Sequence, residues 1–335
     1  AMTPYKKYLE EWEFGSYEDF LKNYKIVVPD HFNFAFDVLD EMARETPDAR
    51  ALQWCNPAGE ERSFTFADIS RESGRCANML ASLGVKRGDV VMLVLKRHYE
   101  FWFAIMALHK LGAVAVPATH LLTKKDIVYR ANAADISAVI GSVEGAFAEQ
   151  LDAAMPECPT LKLRIAARGK RDGWLSFDEE MAKHGDAFER PLPLNDNDDP
   201  LLIYFTSGTS GMPKMVLLYC TYPLGHIQTA VYWLRCIEGG LHLTVSETGW
   251  AKSVWGKLYG QWLAGSAVMS YDFEKFVPAD MLAILERHKV TTFCAPPTVY
   301  RFMALEDVSK YDLSSLKYCA TAGEPLNPDL FEKWE

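Results

Sequence analysis

Tyr204-Phe205-Thr206-Ser207-Gly208-Thr209-Ser210-Gly211-Met212-Pro213-Lys214 is the stretch on which the reading of this chain turns. It follows Leu201-Leu202-Ile203, a short apolar run of the kind that forms a buried parallel strand. Two glycines three apart let a loop bring backbone N–H groups close to an anion. Thr206, Ser207 and Thr209 add hydroxyl donors, and Ser210 can add another. Pro213 stiffens the exit, and Lys214 supplies a full positive charge. Such a loop suits a polyphosphate. It is not the common Gly-Lys-Ser/Thr phosphate loop, because Met212 and Pro213 separate the last glycine from the lysine. A plain Ser/Gly-rich surface turn would not place nine consecutive residues of phosphate-binding type directly after a strand.

The bulk composition narrows the partners. The chain has 335 residues, 49% of them apolar, enough for a large core and about two domains or two halves of one. A net charge of −10 argues against nucleic acid or an anionic membrane as the main partner. It does not oppose a bound polyphosphate, which needs only local positive potential. The seven cysteines are scattered and include no Cys-x-x-Cys, so no disulfide framework or zinc site is expected. A reduced, cytoplasmic setting is the expectation. No apolar signal core follows Ala1-Met2-Thr3-Pro4, and the apolar run 101–108 is too short to span a bilayer.

Outward from the loop, helices and strands alternate. Residues 1–30 read as an aromatic, charged arm. Residues 31–195 read as a first α/β unit and 196–335 as a second. The first opens with a helix carrying Phe34, Val38, Leu39 and Met42, then a hairpin across Asn56-Pro57-Ala58-Gly59. Helices are predicted over 66–83, 99–111 and 123–132, the last capped by Thr123 with Asp126 near its first turn. Strands are predicted over 90–95, 114–116, 138–140 and 161–165. The acidic run Asn195-Asp196-Asn197-Asp198-Asp199-Pro200 reads as a solvated crossing between two sheets, with no metal role. Beyond the loop, single helices are predicted over 222–235 and 250–263, and strands over 267–270, 291–294 and 316–320. The fold class that follows is α/β, with two doubly wound, mainly parallel sheets flanked by helices.

The form Thr206-Ser207-Gly208-Thr209-Ser210-Gly211-x-Pro213-Lys214-Met215 resembles the signature loop of the adenylate-forming superfamily, most of all its medium-chain acyl-CoA synthetase branch. The resemblance covers almost the whole chain and is most specific over 200–335. It implies that residues Thr206 to Lys214 hold the β- and γ-phosphates of ATP, with Thr206 near magnesium. It implies that Gly323-Glu324-Pro325, past a predicted strand end, lines the adenine. It places Trp250, Lys252, Trp255 and Gly256 beside the acyl group, with Cys294, Ala295 and Pro296 opposite. Read from the residues alone, Trp255 fits core packing equally well, Lys252 fits a solvated helix lysine, and Gly323–Pro325 fits an ordinary turn. Tyr259 and Trp262 read as core. Cys294 has no base near it in sequence and reads as a small lining residue rather than a nucleophile. The eight histidines form no ligand pair at metal spacing, and His226 reads as structural.

The reaction implied is the AMP-forming joining of a carboxylic acid to coenzyme A, the acid being medium-chain, branched or aromatic. Two further readings stay open on sequence: an adenylation domain loading a carrier protein, and a nucleotide-binding module without catalysis. The family continues after its Gly-Glu-Pro segment with Tyr-Gly-x-Thr-Glu, a ribose-binding aspartate, a hinge and a small domain bearing a catalytic lysine. None of these occurs before Glu335, so the chain is expected to be an N-terminal part, inactive alone. A family histidine shortly after the loop is replaced by Leu217-Leu218-Tyr219.

Overall fold

The computed structural model describes residues 2–207 and 211–335. Among them run thirteen strands: β1 (Arg50–Cys55), β2 (Glu61–Thr65), β3 (Val90–Val94), β4 (Val114–Pro117), β5 (Ile136–Ser142), β6 (Leu163–Ala167), β7 (Leu175–Ser176), β8 (Pro200–Thr206), β9 (Lys214–Tyr219), β10 (Leu241–Thr244), β11 (Ala267–Tyr271), β12 (Thr292–Ala295) and β13 (Tyr318–Thr321). They form a seven-stranded sheet, β7-β6-β5-β3-β4-β8-β9, and a six-stranded sheet, β13-β12-β10-β11-β1-β2. Each is parallel except at one edge, where a hairpin adds an antiparallel strand: β9 beside β8, and β2 beside β1. Parallel strands are covered on both faces, which is why β3 and β4 read as unbroken apolar runs.

The sheets do not part at the boundary expected near residue 195. The early hairpin β1–β2 joins the late strand β11, with Gln53 opposite Met269. The late hairpin β8–β9 joins the early strand β4, with Ala115 opposite Leu202. A hairpin is fixed by local pairing, whereas the sheet its free edge joins depends on distant strands.

Between the sheets lies the Glu100–Leu111 helix, all twelve of its residues buried. A helix apolar on nearly every side belongs inside a protein. The Trp102 indole donates to the Lys257 carbonyl at 2.9 Å, and His109 Nε2 lies 2.7 Å from the Tyr259 hydroxyl. Its buried charges are paired, Glu100 with Arg168 at 3.0 Å and Lys110 with Asp40 at 3.0 Å. Unpaired, each would cost several kcal/mol in this setting, on the order of 3–5. Leu52 and Val268 from one sheet and Val91, Leu93 and Leu202 from the other share a single core.

Local rules account for the ends of many elements. Thr123 and Asp126 form the reciprocal cap that opens the Lys124–Ala133 helix, the Asp126 carboxylate accepting from the Thr123 N–H at 3.0 Å. Gly112, with φ 74°, closes the central helix in the left-handed conformation.

Two long helices predicted from periodicity are interrupted. Residues 222–233 change from an α-helix, Tyr222–Ile227, to widened π-type turns, Gln228–Trp233. Residues 251–263 form two short helices, Ala251–Gly256 and Tyr259–Leu263, broken at Lys257 and Leu258. Both sides of the second break are closely packed. A Cβ at Gly256 would lie 2.6 Å from Thr244 Oγ1, and one at Gly260 would lie 2.4 Å from the His226 carbonyl oxygen. Gln261 bridges the break, accepting from the Leu258 N–H and donating to the Trp255 carbonyl. Tyr259 and Trp262 are core, packed on Phe34.

The acidic run after Leu194 forms a turn in which Asp199 pairs with Arg87 at 2.6 Å, with Asp196 and Asp198 exposed. No helix among the described residues is long and apolar enough to cross a membrane.

Candidate active site at the carboxyl ends of the two sheets

The expected phosphate loop connects β8 to β9. Thr206 stands opposite Lys214 in the hairpin register. Gly208, Thr209 and Ser210 lie outside the described residues. Ser207, Gly211, Met212 and Lys214 are exposed and Pro213 is half-buried. Gly211 has φ 99°, a conformation that favours glycine. Among the described residues no carboxylate lies within ion-pair reach of Lys214, so its charge is free for a ligand. The loop is held from behind. The Tyr129 hydroxyl donates to the Pro213 carbonyl at 2.7 Å. The Tyr129 ring meets Phe205 edge-on, and Arg130 lies over the same phenyl ring at 5.2 Å.

The other expected segments converge at the carboxyl ends of β10, β12 and β13. The Thr321 hydroxyl donates to the Ala295 carbonyl at 2.8 Å, and the Tyr300 hydroxyl to the Ala320 carbonyl at 2.7 Å. Gly323 has φ 115° and open space where a Cβ would stand. Only glycine holds that backbone without strain, and a flat ring can lie over it. The Glu324 carboxylate accepts from both the N–H and the hydroxyl of Thr298, which hold it below the ordinary carboxylate range. Lys252 donates to the Ala322 carbonyl at 3.4 Å. Burial lowers the Lys252 ammonium from the usual lysine value. Cys294 and Ala295 are buried and Pro296 half-buried. Burial pushes the Cys294 thiol up to about 11 against the pull of Lys252, so it is no ready nucleophile.

The aromatic residues separate. Trp250 is exposed, whereas Trp255 is half-buried and packs on Trp233 with ring centres 5.7 Å apart. Gly256 does not leave room beside Trp255. Thr244 fills the space over it, and the glycine is needed for that close approach.

Sequence reasoning missed the seam that joins the two sheets at this same end. His120 follows β4 by three residues, and Glu247 follows β10 by three. His120 Nδ1 lies 2.8 Å from Glu247 Oε2. The pair is poorly aligned for a hydrogen bond, and the buried Glu247 Oε1 has no partner among the described residues. Burial alone would raise the Glu247 carboxyl. The His120 ring, the Thr119 hydroxyl and the Arg97 guanidinium outweigh it and hold the group below the ordinary range. The Thr248 hydroxyl donates to the Lys96 carbonyl at 2.6 Å, and Lys96 pairs with Glu274 at 2.9 Å. His98 joins Asp272 at 2.5 Å and Ser142 at 3.0 Å. That set has the connectivity of a hydrolytic triad, but Ser142 is buried and cannot reach a substrate. No local signal announces these pairs, since His120 and Glu247 stand 127 residues apart (247 − 120) and His98 and Asp272 stand 174 apart.

The mitochondrial acyl-coenzyme A synthetase ACSM3 of Homo sapiens is 35% identical over 96% of this chain and 56% of its own length. The human mitochondrial acyl-coenzyme A synthetase ACSM5 is 36% identical over 92% of this chain and 54% of its own. The chain thus spans about half the length of the curated relatives it matches. The crystal structure of the anthranilate CoA ligase AuaEII with anthranoyl-AMP superposes with a TM-score of 0.83 at 27% identity, over 92% of this chain and 58% of that one. Acetoacetyl-CoA synthetase from Streptomyces lividans shares the fold, with a TM-score of 0.81 at 23% identity over 93% of this chain and 50% of that one. The family model described as AMP-binding enzyme matches residues 39–335, including both sheets and every segment gathered at their carboxyl ends, and the chain therefore belongs to the AMP-binding enzyme family.

Proposed function

We propose that the protein carrying this chain is an AMP-forming acyl-CoA synthetase. The observation that carries the reading is the convergence of Lys252, Cys294–Pro296 and Gly323–Pro325 at the ends of adjacent parallel strands, in a chain whose β8–β9 hairpin presents Lys214 unpaired. Ligands of open α/β sheets bind at such strand ends. The carboxylate of an organic acid attacks the α-phosphate of ATP, forming an acyl-adenylate and releasing pyrophosphate. The thiol of coenzyme A then displaces AMP. Each nucleophile comes from a substrate, so the reading calls for no nucleophilic serine or cysteine of the protein.

The residues have distinct roles in this reading. Thr206, Ser207, Gly211, Met212, Pro213 and Lys214, with Gly208, Thr209 and Ser210 between them, hold the departing pyrophosphate. Gly323, Glu324 and Pro325 flank the adenine. The acyl group lies among Trp250, Lys252, Trp255, Cys294, Ala295 and Pro296, with Gly256 acting through the packing of Thr244. Magnesium would accompany the nucleotide. The Thr206 hydroxyl makes only a long, 3.5 Å donation to the Lys214 carbonyl among the described residues, which leaves it available to meet the ion through water. The protein's work is positioning and charge stabilisation. The acid is of the medium-chain, branched or aromatic class.

The test is carboxylate-dependent exchange of labelled pyrophosphate into ATP by the complete protein. Exchange should appear with an acid of the proposed class and fall about 100-fold in Lys214→Ala. No exchange with any acid of that class would overturn the reading. Supplying free coenzyme A or a carrier protein as acceptor then separates a synthetase from a loading domain.

A further inference from the structure

We infer that His120 is the base that takes the thiol proton when the acyl group passes from the adenylate to coenzyme A, and that Glu247 positions it. This rests on the acyl-CoA synthetase reading above. The first argument is location. β4, which delivers His120, is the sheet neighbour of β8, which delivers the phosphate hairpin. β10, which delivers Glu247, is the neighbour of β12, whose end carries Cys294 and Ala295. The pair therefore bridges the crevice between the sheets, with the hairpin strand next to one member and the acyl-side strand next to the other.

The second argument is chemical. The Glu247 side chain is 7% exposed and that of His120 is 24% exposed, so the acid is enclosed and the ring is partly accessible. Nδ1 stands 2.8 Å from the carboxylate without the alignment of a hydrogen bond, and closing that bond would fix the tautomer whose Nε2 lone pair is open. Neither ring nitrogen of His120 makes a hydrogen bond among the described residues, and Glu247 Oε1 is likewise buried and unpartnered. A carboxylate–imidazole pair that is close but misaligned commonly tightens only when substrate arrives. Other imidazoles at these strand ends are committed. His98 holds Asp272 and Ser142, and His242 holds Thr292 and Thr244.

The third argument is rigidity. A Cβ at Gly249 would lie 2.5 Å from the Ala118 carbonyl carbon and from the Thr119 nitrogen. Backbone contact two residues from Glu247 and one from His120 thus fixes how far apart the two stand. The charged groups facing the pair are Arg97 and the Lys96–Glu274 ion pair.

The step balances without an oxidant or reductant. The S–H bond breaks and its proton moves to His120 Nε2. The sulfur electron pair forms a bond to the acyl carbon, the bond from that carbon to the phosphate oxygen breaks, and AMP leaves as an anion. The imidazolium then returns its proton to water.

The test is single-turnover thioester formation from preformed acyl-adenylate and coenzyme A in the complete protein, followed from about pH 6 to about pH 9, a range that brackets the ordinary thiol pKa of about 8.5. His120→Gln should slow the step about 100-fold near neutral pH. The deficit should shrink towards about pH 8.5, where a thiol ionises unaided. Glu247→Gln should slow it about tenfold with the same recovery. A deficit equal at every pH, or a rate for both variants within about threefold of wild type, would overturn the inference while pyrophosphate exchange kept the parent reading intact. A wild-type protein that fails the exchange assay would remove both.

Discussion

The ammonium of Lys252 donates to the Ala322 carbonyl, tying the helix after Trp250 to the turn that leaves β13. One element borders the proposed acyl group and the other the proposed adenine. Removing the tie should loosen the grip on a molecule that joins the two. Lys252→Met should weaken binding of a non-hydrolysable acyl-adenylate by about tenfold, the usual worth of one hydrogen bond to a charged group. Isothermal titration measures it, and a change under about twofold would detach Lys252 from the site.

Tyr129 lies outside the proposed binding residues but holds the proposed phosphate hairpin through the Pro213 carbonyl. Tyr129→Phe keeps the ring packing on Phe205 and deletes the hydrogen bond. The KM for ATP in pyrophosphate exchange should rise about fivefold, equivalent to about 1 kcal/mol, with the KM for the acid unmoved. Equal changes in both constants would count against the anchoring role.

Gly256→Ala separates two readings of that glycine. Alanine ordinarily stabilises a helix interior by about 1 kcal/mol. Here its Cβ would press on Thr244 Oγ1 and Cγ2 at 2.6 and 2.7 Å. The strain should win, for a net loss of about 1–3 kcal/mol in denaturant unfolding. A more stable variant with altered acid preference would show instead that the glycine faces open space.

Burial, reinforced by the neighbouring Arg97 and opposed by Asp272, brings the Lys257 ammonium down from 10.5 to about 7. A depressed folded value means the unfolded chain binds more protons across that interval. Stability from this group is therefore present above pH 10.5 and lost as the pH falls towards 7. The slope is at most about 1.4 kcal/mol per pH unit. Lys257→Met should abolish it and raise stability at neutral pH, as urea titrations at a series of pH values would report. An unchanged pH slope would place the ammonium in water.

Much of this architecture is legible because its causes are local. The Thr123–Asp126 cap, the glycine stop at Gly112 and the apolar runs of β3 and β4 each follow from a few neighbouring residues. The family resemblance carried by Thr206–Met215 and Gly323–Pro325 agrees with the family match. What escapes depends on contacts far along the chain. Periodicity predicts one helix through Lys257 and does not register the close approach of Thr244 and His226 to Gly256 and Gly260. It cannot pair His120 with Glu247, since neither residue has a neighbour in sequence that calls for the other.

The exchange of hairpins between the sheets also has a consequence for synthesis. Gln53 meets Met269, a partner 216 positions later (269 − 53). At about 5–20 residues per second, the β1 edge waits roughly 10–40 s for the ribosome to deliver its neighbour. Until β11 emerges, the nascent chain carries an uncovered apolar edge, and chaperones have that interval in which to shield it.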